Sequence, residues 1–320
     1  MNIVMLDAFT ADQGRSPWPG LDDLGKHSNH ARVGNSSIEI LCEGATAIIT
    51  NKAMISEALM LKFAPTLRYI GVSATGTNIV DVNAAKKLGI AVTNVPGYSA
   101  PSVAQLAISL MLSLSLDVAG HSNAVKSGAW ANGADFCFFL RPLPEWAGKT
   151  MVVVGHGAIG SAVANIAKAL GMQVVAAQVP GAPIKADRVP LYTALGEADV
   201  VSLHCPLTPA TDRLVNKVFL NAMKQGALLI NTSRGGLVDE AALLDALDEG
   251  RIGGVGLDVL NAEPPPQNHP LLNPNAPWAQ RVIVTPHIGW GTQEARERLR
   301  KEVVLNLVAF VAGERRNRVD

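Results

Sequence analysis

Three polar residues stand just past apolar, β-prone runs: Arg234 after LLINTS, Glu263 after GVGLDVLNA and His287 after VIVTP. Ligands of an open α/β sheet collect at the carboxyl ends of its strands, so polar residues there are the first candidates for chemistry. Each has an ordinary reading as well. A lone arginine on a turn is a solvated charge, a carboxylate before three prolines is a loop acid in an extended segment, and a histidine after a strand is a surface or capping group. Taken together they form a working inventory. A planar guanidinium suits a carboxylate, an imidazole can exchange a proton with a carbonyl oxygen, and a carboxylate beside it orients and charges that imidazole.

What such a set lacks is a redox partner, and the stretch MVVVGHGAIG at 151–160 points to one. An apolar run at 151–154 is followed by Gly155, Gly157 and Gly160, with Ala158 and Ile159 between them, and then by a helix-forming segment at 161–170. In a strand, turn and helix of this kind the first glycine permits the sharp turn, the second lets backbone approach a pyrophosphate, and the third allows helix and strand to pack closely. The helix N-terminus adds unpaired N–H groups and a positive dipole end. A glycine-rich turn alone is a weak sign, but the strand before it and the helix after it predict a dinucleotide site.

The elements that must hold these residues follow a βαβ rhythm. Strands are expected at 3–6, 47–50, 69–72 and 90–93 with helices at 53–63 and 80–88, hence a first parallel sheet. The turn at 94–98 breaks the pattern, residues 99–101 start a long apolar helix through 116, and an aromatic loop at 130–146 leads into the glycine stretch. Strands at 174–177, 200–204, 227–231, 254–259 and 282–285, with helices near 216–223 and 239–249, build a second sheet of the Rossmann type. A helix at 294–311 returns to the first lobe. The expectation is therefore α/β, with two doubly wound parallel-sheet domains. A Rossmann dinucleotide-binding domain at 99–288 is inserted in a flavodoxin-like substrate domain formed by 1–98 and 289–320. Residues 11–35, rich in Gly, Pro, Ser and His, predict loop with one short helix near 21–30.

Composition narrows the partners. Lys plus Arg equals Asp plus Glu at 27 each in 320 residues, which gives no basic field for nucleic acid or an anionic membrane. The three cysteines, Cys42, Cys137 and Cys205, lie far apart without a CxxC pair, so neither a disulfide framework nor a structural metal site is expected. The apolar helix near 103–116 carries Gln105 and three serines and is too short for a membrane span. The N-terminus MNIVMLDAF reads as a first strand and not as an export signal, so a cytoplasmic protein is expected.

At these residues the sequence resembles the D-2-hydroxyacid dehydrogenase family, in which Arg, Glu and His follow a glycine motif in this order. The resemblance runs through GVSATGTNIVD at 71–81, NVPGYSAPSVAQ at 94–105, VVGHGAIG at 153–160, LHCPLTPAT at 203–211, NTSRGGLVDE at 231–240, GLDVLNAEPP at 256–265 and TPHIGW at 285–290. SATGTN, NVPGYS, DFCFF and HIGW are most similar to its glycerate dehydrogenase or hydroxypyruvate reductase branch. The resemblance implies that Arg234 binds the substrate carboxylate and carbonyl oxygen, that His287 exchanges the proton and that Glu263 pairs with His287. It further implies that backbone N–H groups at Ser73, Ala74, Thr75 and Gly76 hold the carboxylate from the opposite lobe. Asp258 is implied as a contact of the nicotinamide carboxamide, with turn capping as the alternative. Val103, His204, Pro206 and Thr232 are implied near the cofactor, although apolar residues at such places are core by default. Trp290 either closes the substrate pocket or packs between domains. A homodimer joined through the nucleotide domain is also implied.

One position departs from the NAD-preferring pattern, which sets an acid about 20 residues past the glycines against the ribose hydroxyls. Gln178 stands there. A glutamine can still bond a hydroxyl, and without a carboxylate a 2'-phosphate is not repelled, with Lys185 or Arg188 nearby to meet it. NAD or NADP is therefore the expected cofactor. The expected reaction is reduction of a small 2-keto acid, hydroxypyruvate or glyoxylate, to a D-2-hydroxy acid. The alternatives are an enzyme of the same fold acting on another small acid such as lactate or formate, and a nucleotide-sensing corepressor-like scaffold. The paired Glu263 and His287 weigh against formate, which has no alkoxide to protonate.

Overall fold

The structure, a computed structural model, describes residues 1–15 and 17–320. It divides into two compact units, Met1–Ser99 with Trp290–Asp320, and Ala100–Gly289.

The first unit begins with β1 (Asn2–Met5), α1 (Phe9–Asp12), β2 (Lys26–Asn29), α2 (Ile38–Leu41) and β3 (Ala47–Thr50). It continues with α3 (Glu57–Phe63), β4 (Tyr69–Val72), α4 (Val82–Lys87) and β5 (Ala91–Thr93). The strands β1, β3, β4 and β5 are short runs of mostly buried apolar residues, the pattern of a parallel sheet covered on both faces. The sheet order is β2-β1-β3-β4-β5 and every pairing is parallel, which is the flavodoxin-like order. Ser56 and Asp81 cap α3 and α4 through the N–H groups of Leu59 and Ala84.

The second unit opens with α5 (Ala100–Leu116) and α6 (Val118–Lys126) and runs through β6 (Thr150–Val154), α7 (Ala158–Ala169), β7 (Gln173–Ala177) and α8 (Leu191–Glu197). It is completed by β8 (Val200–Leu203), α9 (Lys217–Ala222), β9 (Leu228–Asn231), α10 (Glu240–Asp248), β10 (Gly254–Leu257) and β11 (Val282–Val284). Its order is β11-β10-β9-β8-β6-β7, again parallel throughout. The chain leaves β6 on one side for β7 and then crosses to β8 on the other, so a topological switch point lies at the carboxyl end of β6. The chain then re-enters the first unit as α11 (Gln293–Val311). There Ala295, Leu299, Val303 and Leu307 join Ile3, Met5, Ile49 and Tyr69 in one core cluster.

The stretch 11–35 departs from expectation. In place of a helix near 21–30 it forms a single 3-10 turn, Asp22–Leu24, and the edge strand β2, paired in parallel with β1. The sequence KHSN carries no apolar alternation because this strand is largely exposed, and its cohesion comes from main-chain bonds to one neighbour. Asp12 anchors the stretch from within. Its buried carboxylate accepts the Gly14 N–H at 2.7 Å, the Trp18 indole N–H at 3.0 Å and the Asn29 amide N–H at 3.0 Å. Ser16 lies outside the described residues. Four helices, α1, α2, α6 and α8, were not expected from the sequence: α1 and α2 are single turns of four residues, and α6 and α8 are short and interrupted by Gly120 and Gly196.

Close packing of α7 on β6 depends on a missing side chain. A Cβ on Gly160 would lie 2.1 Å from the Gly155 carbonyl oxygen and 3.0 Å from Cγ1 of Val153. Gly160→Ala is expected to lower stability by about 1–3 kcal/mol through forced separation of helix and strand. A urea unfolding midpoint equal to that of the unmodified chain would contradict this account.

Candidate active site

At the carboxyl edge of the second sheet the chain leaves β9, β10 and β11 in three successive turns, and these carry Arg234, Glu263 and His287. Arg234 follows the Asn231 turn. The Asn231 side chain accepts the Ser233 N–H at 3.0 Å and donates to the Arg234 carbonyl at 2.9 Å, which fixes the main chain around the guanidinium. Nη1 of Arg234 donates to the Ser233 carbonyl at 2.8 Å. The next residue, Gly235, is pressed against the neighbouring loop. A Cβ there would lie 2.0 Å from the Leu260 carbonyl oxygen, so the turn after β9 and the loop after β10 touch through bare backbone.

That second loop carries Glu263. One carboxylate oxygen accepts the Leu260 N–H at 3.2 Å and the other stands 2.6 Å from Nδ1 of His287. His287 itself has a left-handed backbone, φ 54, which costs energy in a residue with a side chain and persists only where the surroundings impose it. Asp258 imposes it. This buried residue, just past β10, accepts the His287 N–H on its main-chain oxygen at 2.9 Å. Its carboxylate accepts the Thr285 hydroxyl at 2.6 Å and the N–H groups of Ile288 and Gly289 at 2.8 Å each. The Asp258 side chain therefore serves the turn that presents His287. Nδ1 of the imidazole is thus directed at Glu263.

Gly155 has φ 99, and a Cβ there would meet the Cys205 nitrogen and the His204 carbonyl at 2.5–2.6 Å. Gly157 is the N-cap of α7, with no side chain capping the helix, and a Cβ on it would meet nothing within 4 Å. Space and N–H groups are thus present together where a pyrophosphate would sit, flanked by the exposed Ala158 and the half-buried Ile159. Thr232 adds a buried hydroxyl oxygen with no hydrogen-bond partner. The residues fit the group. His204 lies beside the turn with Nε2 2.8 Å from the Ser202 hydroxyl, and burial pushes its imidazole down to about 3, which keeps it neutral. Val103 is buried, with Cγ2 lying 3.6 Å from the point a Cβ on Gly289 would occupy, whereas Pro206 is exposed.

Gln178, just past β7, turns its amide into the loop that follows. Nε2 lies within 3.1–3.2 Å of the carbonyls of Val179, Ala182 and Pro183, and Oε1 accepts the Lys185 N–H at 3.4 Å. Lys185 is exposed, and Arg188 pairs with Asp187. Neither buried cysteine is poised for thiolate chemistry, since burial pushes Cys42 up to about 12 and Cys205 up to about 11.

In the first unit the backbone of Ser73, Ala74, Thr75 and Gly76 is pinned from both sides. Asn51 donates to the Ser73 carbonyl at 2.6 Å, and Asn94 donates to the Thr75 carbonyl at 2.7 Å. Asp7 holds the Asn51 turn by accepting the N–H groups of Asn51 and Ala53 at 2.8 and 2.7 Å. Burial raises the Asp7 carboxyl, and these N–H groups oppose that shift. Trp290 packs against the core of its own unit beside α11. The sequence reading missed Asp7, Asn51 and Asn94, because their partners are distant in the chain. The one signal available was their position just past a strand.

A family model described as "D-isomer specific 2-hydroxyacid dehydrogenase, NAD binding domain" matches residues 108–289. A hydroxypyruvate reductase from Blautia hydrogenotrophica is 40% identical over 320 residues, covering 98% of each chain. A glycerate dehydrogenase from Methylorubrum extorquens is 42% identical over 279 residues, covering 87% of this chain and 86% of the other. Among solved structures, an acyclic imino acid reductase (Bsp5) in complex with NADPH and D-Arg superposes with a TM-score of 0.87 at 26% identity over 100% of both chains. Two parallel-sheet α/β units and a glycine turn that fits a dinucleotide agree with these matches: the chain belongs to the D-2-hydroxyacid dehydrogenase family and is an oxidoreductase that uses NAD or NADP.

Proposed function

We propose that this chain reduces hydroxypyruvate or glyoxylate to the D-2-hydroxy acid, with Arg234 binding the keto acid, His287 donating the proton and Glu263 holding His287. The observation that carries the reading is the 2.6 Å contact between His287 Nδ1 and Glu263, on a turn that leaves Nε2 for a substrate oxygen. A bound nicotinamide supplies the hydride. The Arg234 fork binds the carboxylate and draws charge onto the carbonyl oxygen. His287 passes its Nε2 proton to that oxygen as it becomes an alkoxide, and the Glu263 carboxylate offsets the imidazolium charge before the transfer. Hydroxypyruvate is supported by the names of the two curated relatives above, and glyoxylate by that of a further relative, a glyoxylate reductase from Thermococcus litoralis.

The proposal extends to residues whose support is local. Ser73, Ala74, Thr75 and Gly76 are assigned to the substrate carboxylate because two asparagines fix their backbone, and Trp290 to the substrate side of its unit. Gly155, Gly157, Ala158, Ile159, Gly160, His204, Pro206, Thr232 and Val103 are assigned to the dinucleotide. Asp258 is assigned to it through the turn it holds. The absence of a carboxylate from position 178 supports use of NADPH alongside NADH. A homodimer is supported by exposed apolar side chains on the second unit, among them Val118, Val125, Trp130, Phe136, Phe139 and Ile166. A cytoplasmic location is supported by three free cysteines. No single helix among the described residues is long and apolar enough to cross a membrane.

A panel of 2-keto acids assayed with NADH and NADPH is expected to show highest turnover with hydroxypyruvate or glyoxylate. Arg234→Ala is expected to cut kcat/KM by about a hundredfold, through kcat and KM together. Normal turnover in that variant would refute the site. Glu263→Gln removes the carboxylate that holds Nδ1 of His287 and should lower kcat by about tenfold. A parental kcat in that variant would remove Glu263 from the mechanism. Gly157→Ala has open space for its methyl and should fold as stably as the parent, yet bind NADH and NADPH about tenfold more weakly. Unchanged dinucleotide affinity by fluorescence titration would place the pyrophosphate elsewhere.

A further inference from the structure

Behind the loop that carries Glu263 lies a second carboxylate–imidazole pair. Glu240 begins α10, and its Oε2 stands 3.2 Å from Nε2 of the buried His269. Its other oxygen, Oε1, accepts the Asn261 N–H at 3.0 Å. His269 in turn donates its main-chain N–H to the Pro266 carbonyl at 3.0 Å, and the Asn261 amide donates to the Val238 carbonyl at 3.3 Å. One carboxylate therefore gathers both stems of the loop 261–269, with Glu263 between them. The tautomer of His269 follows from its surroundings. Its Nδ1 is buried with no hydrogen-bond partner, and a proton there would be a donor without an acceptor. The proton sits on Nε2 and is donated to Glu240.

We propose that Glu240 is a positioning residue for the catalytic pair: with His269 it ties both stems of the loop 261–269 and so sets where Glu263 meets His287. The assignment rests on the roles proposed above for Glu263 and His287. A carboxylate suits this task because it offers two acceptor oxygens to two donors arriving from different directions, whereas an amide offers one. The gain is precision at the 2.6 Å contact, since small misplacements of groups around a reacting atom are amplified in rate. Two acidic groups meet the turn of His287, Glu263 at Nδ1 and Asp258 through the Thr285, Ile288 and Gly289 donors, and neither is itself replaced in a Glu240 variant.

The test is steady-state kinetics of Glu240→Ala and the isosteric Glu240→Gln, alone and combined with Glu263→Gln, using glyoxylate and hydroxypyruvate. Glu240→Ala should lower kcat by about tenfold, with substrate KM and dinucleotide affinity held within about twofold. In the Glu263→Gln background the same change should cost less than about twofold, because Glu240 acts through a group already disabled. Glu240→Gln still accepts the Asn261 N–H and should lose less than the alanine variant. It also keeps the test decisive if the alanine variant fails to fold. A loss that multiplies in full onto Glu263→Gln overturns the proposal, as does a parental kcat in the folded Glu240 variants. Parental activity in Glu263→Gln alone would instead overturn the roles of the pair, which separates the two failures.

Discussion

The turn that presents His287 is held in a conformation its residue type disfavours, and Asp258 is what holds it there. A left-handed histidine, with φ 54, stays put only because three donors from residues 285, 288 and 289 converge on one buried carboxylate and its own N–H is taken by the Asp258 main chain. Burying a carboxylate is costly unless it is fully bonded, and this one is. The arrangement transfers a constraint from the end of β10 to the end of β11, two strands that are neighbours in the sheet. The imidazole is thereby delivered to Glu263. The placement of His287 thus comes from backbone bonding, and the exposed contact between Glu263 and His287 does not have to supply it.

The cofactor half obeys a different constraint, that of close approach. Gly155 and Gly160 have no room for a side chain, whereas Gly157 has room and no protein atom to fill it. The first two explain how β6 and α7 come together, and the third leaves the helix N-terminus bare. Gly235 repeats the device between the turn after β9 and the loop after β10, where backbone meets backbone and Arg234 and Glu263 are brought onto adjoining turns. Glycine here acts by occupying nothing, so two functional loops can share a boundary.

Much of this was legible in the sequence, for identifiable reasons. Apart from β2, the strands of both sheets are short and apolar, so the α/β class with two parallel sheets followed from the pattern, and Arg234, Glu263 and His287 were visible because each follows such a strand. The edge strand β2 was not visible, since KHSN is exposed and held only by main-chain bonds. The helices α6 and α8 escaped because each is short and broken in period by a glycine. The clamps escaped for another reason. Glu240 meets Asn261 across 21 positions and His269 across 29, and Asp258 meets Gly289 across 31. No local spacing encodes a contact made when two loops land on the same edge of a sheet.

The carboxylates of this chain can be sorted by what they accept. Asp7, Asp12 and Asp258 each take main-chain N–H groups on short, well-aligned bonds, and each sits at the start of a turn or within one. Such acids stiffen backbone, and a proton has no route through them to a substrate because their partners do not titrate. Glu263 differs in that one of its oxygens faces the imidazole of His287. Glu240 falls between the two classes: it faces an imidazole as well, but that of His269 is buried. The same pair of residue types therefore stands twice along one loop: once half-exposed at the edge of the sheet, and once sealed in the protein, where a single carboxylate meets both stems of the loop.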